Sequence, residues 1–389
     1  MPNYILFDDA AIRPRLLPLT FTRPVSEIRC GTWTLTEKWT HYLGQKPSFL
    51  TQPYLQTKFP LVVGNDNIFI NGAVCATDSL AKAVQHLKFG EVLISENTVI
   101  AYRSPHEISN PETALNAVVF SEKCVIIQHL WDIYLQNGVQ IRADFEQLTQ
   151  NRKSQIIADP HTRCYAPEAI FVEEGATIRA AILNAENGPI YIGKNATISE
   201  GSVVMGPFSL GEGATVNWGG KMRMNTTVGP FCKVGGEISN SVLTGFSNKA
   251  HDGFLGNSVL GEWCNLGANT NNSNLKNDYT TVKIHDYTTQ SLADSEQLFC
   301  GLFMGDFTKA GIGTLFNTGT VVGVNVNVFG AGFQPKHIPS FSWGGAAEGF
   351  AEYRFEKALE VARQTVSRRG QVFGEVEEAI LRTVFENGF

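Results

Sequence analysis

The sequence lacks the features that mark membrane, secreted and nucleic-acid-binding proteins. No hydrophobic run is long enough to cross a bilayer, and residues 1–9 (MPNYILFDD) contain no basic segment followed by a long apolar one. The seven cysteines are odd in number and form no CxxC pair, so the sequence indicates neither a disulfide framework nor a structural zinc site. The net charge of −6 argues against nucleic acid as the main partner. We therefore expect a cytoplasmic protein that binds neither membranes nor nucleic acid.

What the sequence does contain is a six-residue repeat in its second half. Every sixth residue is aliphatic or methionine at Ile192, Ile198, Val204, Leu210, Val216, Met222, Val228 and Val234. A short strand and a tight corner together take six residues, so three such units close a triangular coil whose apolar side chains point inward. The repeat predicts a left-handed parallel β-helix, which we assign to residues 160–345.

The repeat weakens toward the C terminus. The register returns in two later runs, at Phe254, Leu260 and Leu266 and then at Ile312, Thr318 and Val324. Between these runs residues 275–301 are polar, which predicts a loop extruded from the coil. Apolar residues at helical spacing predict a tail of amphipathic C-terminal helices over residues 346–389. Three histidines, His251, His285 and His337, are too dispersed in the sequence to predict a zinc site.

Residues 1–155 follow a different pattern. Short apolar runs, typical of buried strands, alternate with stretches that favour helices, such as residues 34–43 and 79–87. The runs lie at residues 4–7, 61–63, 68–70, 92–94, 99–101 and 125–127. This alternation predicts an N-terminal α/β domain with a largely parallel, Rossmann-like sheet.

Residues 247–256 (SNKAHDGFLG) and 265–274 (NLGANTNNSN) carry the most specific motif of the second half. They resemble the acetyltransferase half of bifunctional N-acetylglucosamine-1-phosphate uridylyltransferases of the GlmU type. The resemblance implies that His251 is the general base and that Asn265 holds the sugar. Independently, a histidine with a pKa near neutrality suits removal of a proton from an attacking amine.

The same resemblance implies a site for acetyl-CoA, which Ala268 and Asn274 would contact. Basic side chains in this half are candidates to bind phosphate groups, because their charged N–H groups form strong hydrogen bonds to phosphate oxygens. Arg223 and Lys249 are the candidates for the sugar phosphate, and Lys309 for the phosphates of coenzyme A.

Residues 13–24 (RPRLLPLTFTRP) carry the corresponding motif of the first domain. They resemble a degenerate form of the signature of sugar-1-phosphate nucleotidyltransferases, without its glycine-rich turn. Arg13, Arg15 and Arg23 are therefore predicted to bind the nucleotide phosphates in place of backbone N–H groups.

Four other residues complete the predicted first site. Asn71 and Gly72 follow an apolar run directly and are expected to line the sugar pocket. Asp66 and Asp132 are the expected contacts of Mg²⁺, which prefers carboxylate oxygens.

The whole pattern resembles a divergent bifunctional enzyme of the GlmU type. It implies that the β-helix acetylates glucosamine-1-phosphate with acetyl-CoA and that the first domain couples the product to UTP. The product would be UDP-N-acetylglucosamine, a precursor of the cell envelope, and the enzyme would form a homotrimer. Two alternatives stay open: a nucleotidyltransferase with a purely structural β-helix, and a non-catalytic regulatory subunit that binds a sugar nucleotide.

Overall fold

The computed structural model describes residues 2–388, which form two compact units. The first unit comprises Met1–Leu16, Thr22–Ile28 and Trp33–His129, and the second comprises Leu17–Phe21, Arg29–Thr32 and Leu130–Phe389. The domain limits expected at residues 155, 160 and 345 stay predictions. Within residues 2–388 no helix combines the length and the apolar composition that crossing a membrane requires.

The first unit contains a six-stranded mixed sheet. Its strands are β1 (Asn3–Phe7), β2 (Ser48–Leu50), β3 (Asn67–Asn71), β4 (Glu91–Ser95), β5 (Thr98–Ser104) and β6 (Asn116–Val119), in the order β2-β1-β3-β5-β4-β6. Strand β5 is antiparallel to β3 and β4, and the other pairs are parallel. The sequence suggested a largely parallel sheet because the apolar runs do not reveal the tight β4–β5 hairpin. Its two turn residues, Glu96 and Asn97, both have positive φ, as such turns require.

Two of the expected helices of this unit form where the sequence placed them. They are α1 (Leu35–Leu43) and α2 (Asp78–Gln85), and a short α3 (Pro111–Ala114) follows. Thr34 and Glu37 cap the start of α1 reciprocally, since each side chain accepts a hydrogen bond from the backbone N–H of the other. Gly44 ends α1 in the left-handed conformation, with φ of 72°.

Two of the expected strands of this unit are absent. Residues 61–63 form no strand, and the side chains of Val62 and Val63 are exposed, so this apolar run is a surface loop. Residues 125–127 contribute only an isolated antiparallel bridge between Ile126 and Val74. Apolar runs of three residues are too short to distinguish a strand from a loop.

The second unit is a parallel β-solenoid with three faces, preceded by α4 (Leu130–Thr149). The first face consists of β7 (Arg163–Tyr165), β10 (Ile182–Asn184), β13 (Val203–Met205), β16 (Lys221–Met222), β19 (Glu237–Ser239), β22 (Phe254–Gly256), β25 (Asn271–Asn272), β30 (Leu315–Phe316) and β33 (Phe333–Gln334). The second face consists of β8 (Ile170–Val172), β11 (Ile190–Ile192), β14 (Phe208–Leu210), β17 (Thr226–Val228), β20 (Val242–Gly245), β23 (Val259–Glu262), β28 (Leu302–Met304), β31 (Thr320–Val322) and β34 (His337–Ile338). The third face consists of β9 (Thr177–Ile178), β12 (Thr197–Ile198), β15 (Thr215–Val216), β18 (Lys233–Val234), β21 (Asn248–Lys249), β24 (Asn265–Leu266), β29 (Lys309–Ala310), β32 (Asn327–Val328) and β35 (Ser342–Gly345).

The interior of the solenoid follows the six-residue repeat. All eight residues of the first run, from Ile192 to Val234, are fully buried in one apolar cluster. After this run the register shifts, because the corner between β18 and β19 has only two residues, Gly235 and Gly236. Leu255 points inward where the sequence suggested Phe254, whereas Leu260 and Leu266 point inward as predicted.

The register that the sequence predicted for the weak third run is wrong. The residues that point inward there are Ala310, Phe316 and Val322. Ile312, which the repeat placed in the core, is 83% exposed. The extruded segment before this run shifts the phase of the repeat, so the spacing within the sequence no longer identifies the inward residues.

Three elements outside the coils complete the second unit. Helix α4 packs on the second face, mainly against β14, β17, β20 and β23. The extruded segment contains an antiparallel hairpin of β26 (Lys283–Asp286) and β27 (Ser291–Asp294). The tail begins with β36 (Gly349–Glu352), which pairs antiparallel with β35, and continues with α5 (Phe355–Ser367) and α6 (Glu375–Glu386). The predicted fold class, an α/β domain, a hexapeptide β-helix and C-terminal helices, is confirmed.

Candidate functional site

A groove of 770 Å³ runs over the third face of the solenoid. Strands β18, β21, β24 and β29 form its floor, and one side of α5 forms a wall. Its basic lining residues are Lys233, His251, Lys309, Arg368 and Arg369, whereas Glu360 is the acidic one. This excess of positive charge suits a ligand that carries phosphate groups.

His251 lies at one edge of the groove, on the corner that joins β21 to β22. Its side chain is exposed, so a substrate amine could reach the imidazole without displacing other side chains. Asn265 and Ala268 line the groove beside it. Asn265 Oδ1 accepts a hydrogen bond of 3.3 Å from Asn248 Nδ2. The structure thus brings together three residues that the sequence resemblance identified separately.

Lys309 lines the groove from β29, where it pairs in register with Asn265. Its Nζ atom is buried and has no hydrogen-bond partner within residues 2–388. Burial lowers the pKa of Lys309, while the nearby Cys264 opposes this shift. A buried amine without a partner in a groove wall is a position where an acceptor group of a ligand could be bound.

Three other predicted residues of this half lie outside the groove lining. Arg223 is exposed and forms an ion pair of 3.2 Å with Glu237. Asn274 donates to Asn257 Oδ1 at 2.8 Å. Lys249 is fully buried inside the coil, with Nζ 2.6 Å from the carbonyl oxygen of His251.

The wall formed by α5 contains residues that sequence reasoning missed. Arg368 is exposed at the end of α5, and Arg369 follows it. Arg369 donates to Asn248 Oδ1 at 2.6 Å and to the carbonyl oxygen of Phe231 at 3.3 Å, which holds the helix end against the coil. The pair of arginines was visible in the sequence, but which coil the tail contacts depends on packing between residues far apart in the chain.

An aromatic ladder forms the base of the same wall. Phe231, Phe246, Trp263 and Phe307 occupy one corner of successive coils, and neighbouring rings are stacked. The closest pair is Phe246 and Trp263, whose centroids are 4.2 Å apart. All four residues have φ between 53° and 62°, a conformation that glycine or asparagine usually adopts. Phe246 and Trp263 also line the groove.

The first unit contains a second pocket, of 690 Å³, at the ends of β1 and β2. It is lined by Asp9, Arg15, Gln52 and Glu112, among others, and the side chain of Arg15 is exposed there. Asp9 Oδ1 accepts hydrogen bonds from the backbone N–H groups of Ala11 and Ile12. These bonds order the segment that takes the place of a glycine-rich turn.

Arg13 and Arg23 do not line this pocket as Arg15 does. Arg13 is buried and forms an ion pair of 2.6 Å with Asp8, and it donates to the carbonyl oxygen of Arg23 at 3.2 Å. Asp8 also accepts from Thr51 Oγ1 at 2.5 Å. Burial raises the pKa of Asp8, and Arg13 opposes that shift. Arg13 therefore holds the loop together from within.

The remaining predicted residues of the first site are also engaged in the fold. Asn71 is buried at the end of β3, and its Nδ2 donates to the carbonyl oxygen of Val99 at 3.1 Å. A Cβ atom on Gly72 would lie 3.1 Å from the carbonyl oxygen of Phe7, so the two strands approach closely there. Neither residue lines the pocket.

The two aspartates predicted to contact Mg²⁺ lie in different surroundings. Both carboxylate oxygens of Asp66 accept from Arg103, at 2.8 and 2.6 Å, and Arg103 holds the pKa of Asp66 below its usual value. Asp132 lies in the first turn of α4. Within residues 2–388 no group of three or more His, Cys, Asp or Glu side chains is arranged to hold a metal ion.

The comparison with known protein families concerns the first part of the chain. Residues 4–153 match the model of the sugar nucleotidyl transferase family. This match includes the arginine segment and the pocket around Arg15. The sequence had predicted a nucleotidyltransferase-like domain there, and the match confirms it.

Two curated relatives are each named bifunctional protein GlmU. The protein from Methanocaldococcus jannaschii is 34% identical over 89 residues, which are 23% of this chain and 21% of the relative. The protein from Methanococcus aeolicus is 32% identical over 106 residues, which are 27% of this chain and 25% of the relative. The matched segments thus span a quarter or less of the relatives' length.

Two solved structures of acyltransferases share a general likeness with this chain. The polySia-specific acetyltransferase NeuO has 13% identity and a TM-score of 0.27, with 50% of this chain and 84% of that chain covered. The UDP-N-acetylglucosamine acyltransferase of Arabidopsis has 12% identity and a TM-score of 0.23, with 55% and 80% covered. The β-solenoid of this chain is defined by the parallel register of its own strands.

Proposed function

We propose that this chain is a bifunctional transferase of sugar-nucleotide synthesis. The β-solenoid would transfer the acetyl group of acetyl-CoA to glucosamine-1-phosphate, and the first domain would couple the product to UTP to give UDP-N-acetylglucosamine. The observation that carries the proposal is the groove in which His251, Asn265, Ala268 and Lys309 lie together. A cytoplasmic homotrimer is part of the proposal.

Acetyl transfer in the groove would form a C–N bond and break the C–S bond of the thioester. His251 would take the proton from the attacking amine, and the departing thiolate could then accept it. Such general base catalysis is typically worth about 10²–10⁴-fold in rate. The basic side chains of the groove would bind the phosphates of the donor and hold its thioester beside His251.

Nucleotidyl transfer in the first domain would be an in-line substitution. A phosphate oxygen of the sugar-1-phosphate would attack the α-phosphorus of UTP, which would enter as its Mg²⁺ complex, and pyrophosphate would leave. Arg15 would bind phosphate oxygens, since it is the predicted arginine whose side chain lines the pocket. Positioning and charge stabilisation supply most of the catalysis in reactions of this kind.

The first experiment mixes the full chain with glucosamine-1-phosphate, acetyl-CoA, UTP and Mg²⁺ and measures free thiol and pyrophosphate separately. We expect both products from the wild type. His251→Ala should lose thiol release by about 10²-fold or more while its thermal unfolding stays unchanged, because the side chain is exposed. With N-acetylglucosamine-1-phosphate supplied, the same variant should still release pyrophosphate. An unchanged rate of thiol release in His251→Ala would contradict the role of His251 as general base, whereas pyrophosphate release without any thiol release in the wild type would favour a purely structural β-helix.

A second candidate function concerns the first domain. The carboxylate of Asp8 is held by Arg13, and that of Asp66 by Arg103, which favours a domain that binds a sugar nucleotide without turning it over. Calorimetry with UDP-N-acetylglucosamine separates the two functions. Binding without any pyrophosphate release would support a regulatory domain, and pyrophosphate release that falls in Arg15→Ala would support the enzyme.

A further inference from the structure

Lys249 stands at a position of the solenoid that is otherwise apolar. In the third face it pairs in register with Val234 of the preceding coil. Val216 and Ile198 continue the same inward column, and all three aliphatic residues are fully buried. Lys249 is fully buried as well, and within residues 2–388 its ammonium group forms no ion pair, although the charge of Asp252 acts on its pKa. Burial of this kind is costly, and it lowers the pKa of Lys249 to about 8.

The corner that follows Lys249 differs from its equivalents along the same edge. Five other corners there also have four residues. In four of them the third residue is left-handed, with φ between 56° and 74°: Gly201, Gly219, Asn269 and Gly313. The corner of residues 329–332 departs from this pattern, with positive φ at Gly330 and Gly332 instead. In the corner of residues 250–253 the third residue, Asp252, is not left-handed, and Gly253 has φ of 117° instead.

The unusual corner turns its carbonyl groups toward the body of the coil. Lys249 Nζ donates to the carbonyl oxygens of His251, at 2.6 Å, and Asp252, at 2.9 Å. The carbonyl oxygen of Ala250 accepts from Asn217 Nδ2 at 2.9 Å, and that of Gly253 from a backbone N–H at 3.1 Å. Each carbonyl of the corner is therefore satisfied, and the His251 carbonyl depends on Lys249.

We propose that Lys249 is a positioning residue: its buried ammonium group holds the corner that carries His251 and so fixes the imidazole at the edge of the groove. The inference rests on the proposed acetyl transfer for the role of His251, but not for the structure of the corner. It also explains why a lysine occurs in an apolar column, since an aliphatic side chain there would leave the His251 carbonyl oxygen without its donor, whereas that of Asp252 would keep the backbone N–H of Asn269.

The test compares Lys249→Met with Leu266→Met in the full chain. Methionine matches the length of lysine and suits the column, but it removes the donor. Leu266 points inward one coil later and provides the matched control. We expect Lys249→Met to raise hydrogen exchange of the Glu237 and Asn269 amides, which donate to carbonyl oxygens of the corner, by about tenfold or more, and Leu266→Met to leave it unchanged. The kcat for acetyl transfer should fall by about tenfold or more while the KM for acetyl-CoA stays within about twofold.

Two further variants keep the test decisive. Lys249→Gln retains N–H donors and should restore most of the exchange protection and of kcat. Lys249→Ala replaces the methionine variant if that variant does not fold, because alanine is already accommodated at the inward position of Ala310. Wild-type exchange of the Glu237 and Asn269 amides in the folded Met or Ala variant overturns the inference, whatever kcat does. A wild type without acetyl transfer overturns the proposed function, while the exchange measurement still decides the role of Lys249.

Discussion

At the scale of single residues, the buried ammonium group of Lys249 couples the stability of the solenoid to pH. Its pKa is about 8 in the folded chain and 10.5 for an unburied lysine, so the folded state binds the proton less tightly. The resulting decrease in the free energy of unfolding is complete below pH 8 and disappears as the pH rises toward 10.5. Urea unfolding of the wild type should therefore show a gain of up to about 3 kcal/mol between pH 7 and 10.5, relative to Lys249→Met. Parallel pH profiles of the two proteins would contradict this prediction.

Individual residues also show which parts of a site can be predicted from residue types in a sequence and which cannot. His251 was identifiable because its neighbours carry a specific motif, and the structure places it on a groove. The arginines of the first domain were equivalent in the sequence, yet Arg15 lines a pocket and Arg13 is buried on Asp8. Which arginine faces solvent depends on the backbone path between β1 and α1, and residue type does not determine that path.

At the scale of elements, α5 supplies the groove with an exposed cation. Arg368→Ala should raise the KM for acetyl-CoA by about five- to tenfold with little change in kcat, because a phosphate contact remote from the reacting atoms binds ground state and transition state alike. Arg363→Ala is the matched control, since Arg363 lies on the same helix but forms an ion pair with Glu378 outside the groove. Steady-state kinetics check this, and an equal effect of both variants would contradict it.

The hairpin of β26 and β27 is joined to the second face by a pair of stacked histidines. The rings of His285 and His337 are 3.5 Å apart and nearly parallel, and Tyr287 packs edge-on against both. The Nε2 atoms of both histidines are buried without a hydrogen-bond partner within residues 2–388. Lys336 Nζ donates to the carbonyl oxygen of Lys283 beside this pair. The neutral forms of both imidazoles are therefore favoured.

This pair should make the hairpin sensitive to acid. Burial, assisted by His285, lowers the pKa of His337 to about 4, and burial lowers the pKa of His285 against the opposing charge of Asp286. Because the pKa is lower in the folded chain than in the unfolded chain, the neutral imidazole stabilises the fold above pH 6.5. That stability is lost as the pH falls toward 4. Unfolding by urea should show a loss of up to about 3 kcal/mol over this range for His337 alone. His337→Phe keeps a stacked ring that does not titrate, so an equally steep pH profile in that variant would contradict the prediction.

The stacked pair also shows where sequence reasoning about elements ends. His285 and His337 lie 52 positions apart, and their spacing gave no reason to associate them. They meet because the extruded segment folds back onto the coils, with β26 lying against β31, the neighbour of β34. The sequence indicated that a loop leaves the solenoid, but the return path depends on contacts between residues far apart in the chain.

At the scale of the whole molecule, the repeat made the solenoid predictable and the α/β unit only partly so. A period of six residues repeated eight times specifies both the fold and the inward residues, and each of those residues is fully buried. The period changes phase at the two-residue corner after Val234 and again at the extruded segment of residues 275–301. Leu260 and Leu266 of the second run were still predicted correctly, whereas the third run was not. In the α/β unit the apolar runs located most strands, but strand direction depends on turns that such runs do not encode.

The aromatic ladder beside the groove gives the molecule an intrinsic optical probe. Trp263 lines the groove and is stacked on Phe246, so its indole emission reports on the polarity of that wall. The other five tryptophans do not line the groove, so the difference spectrum between the wild type and Trp263→Phe isolates this one fluorophore. Occupancy of the groove can then be followed by emission intensity during a titration, without radiolabel and without turnover.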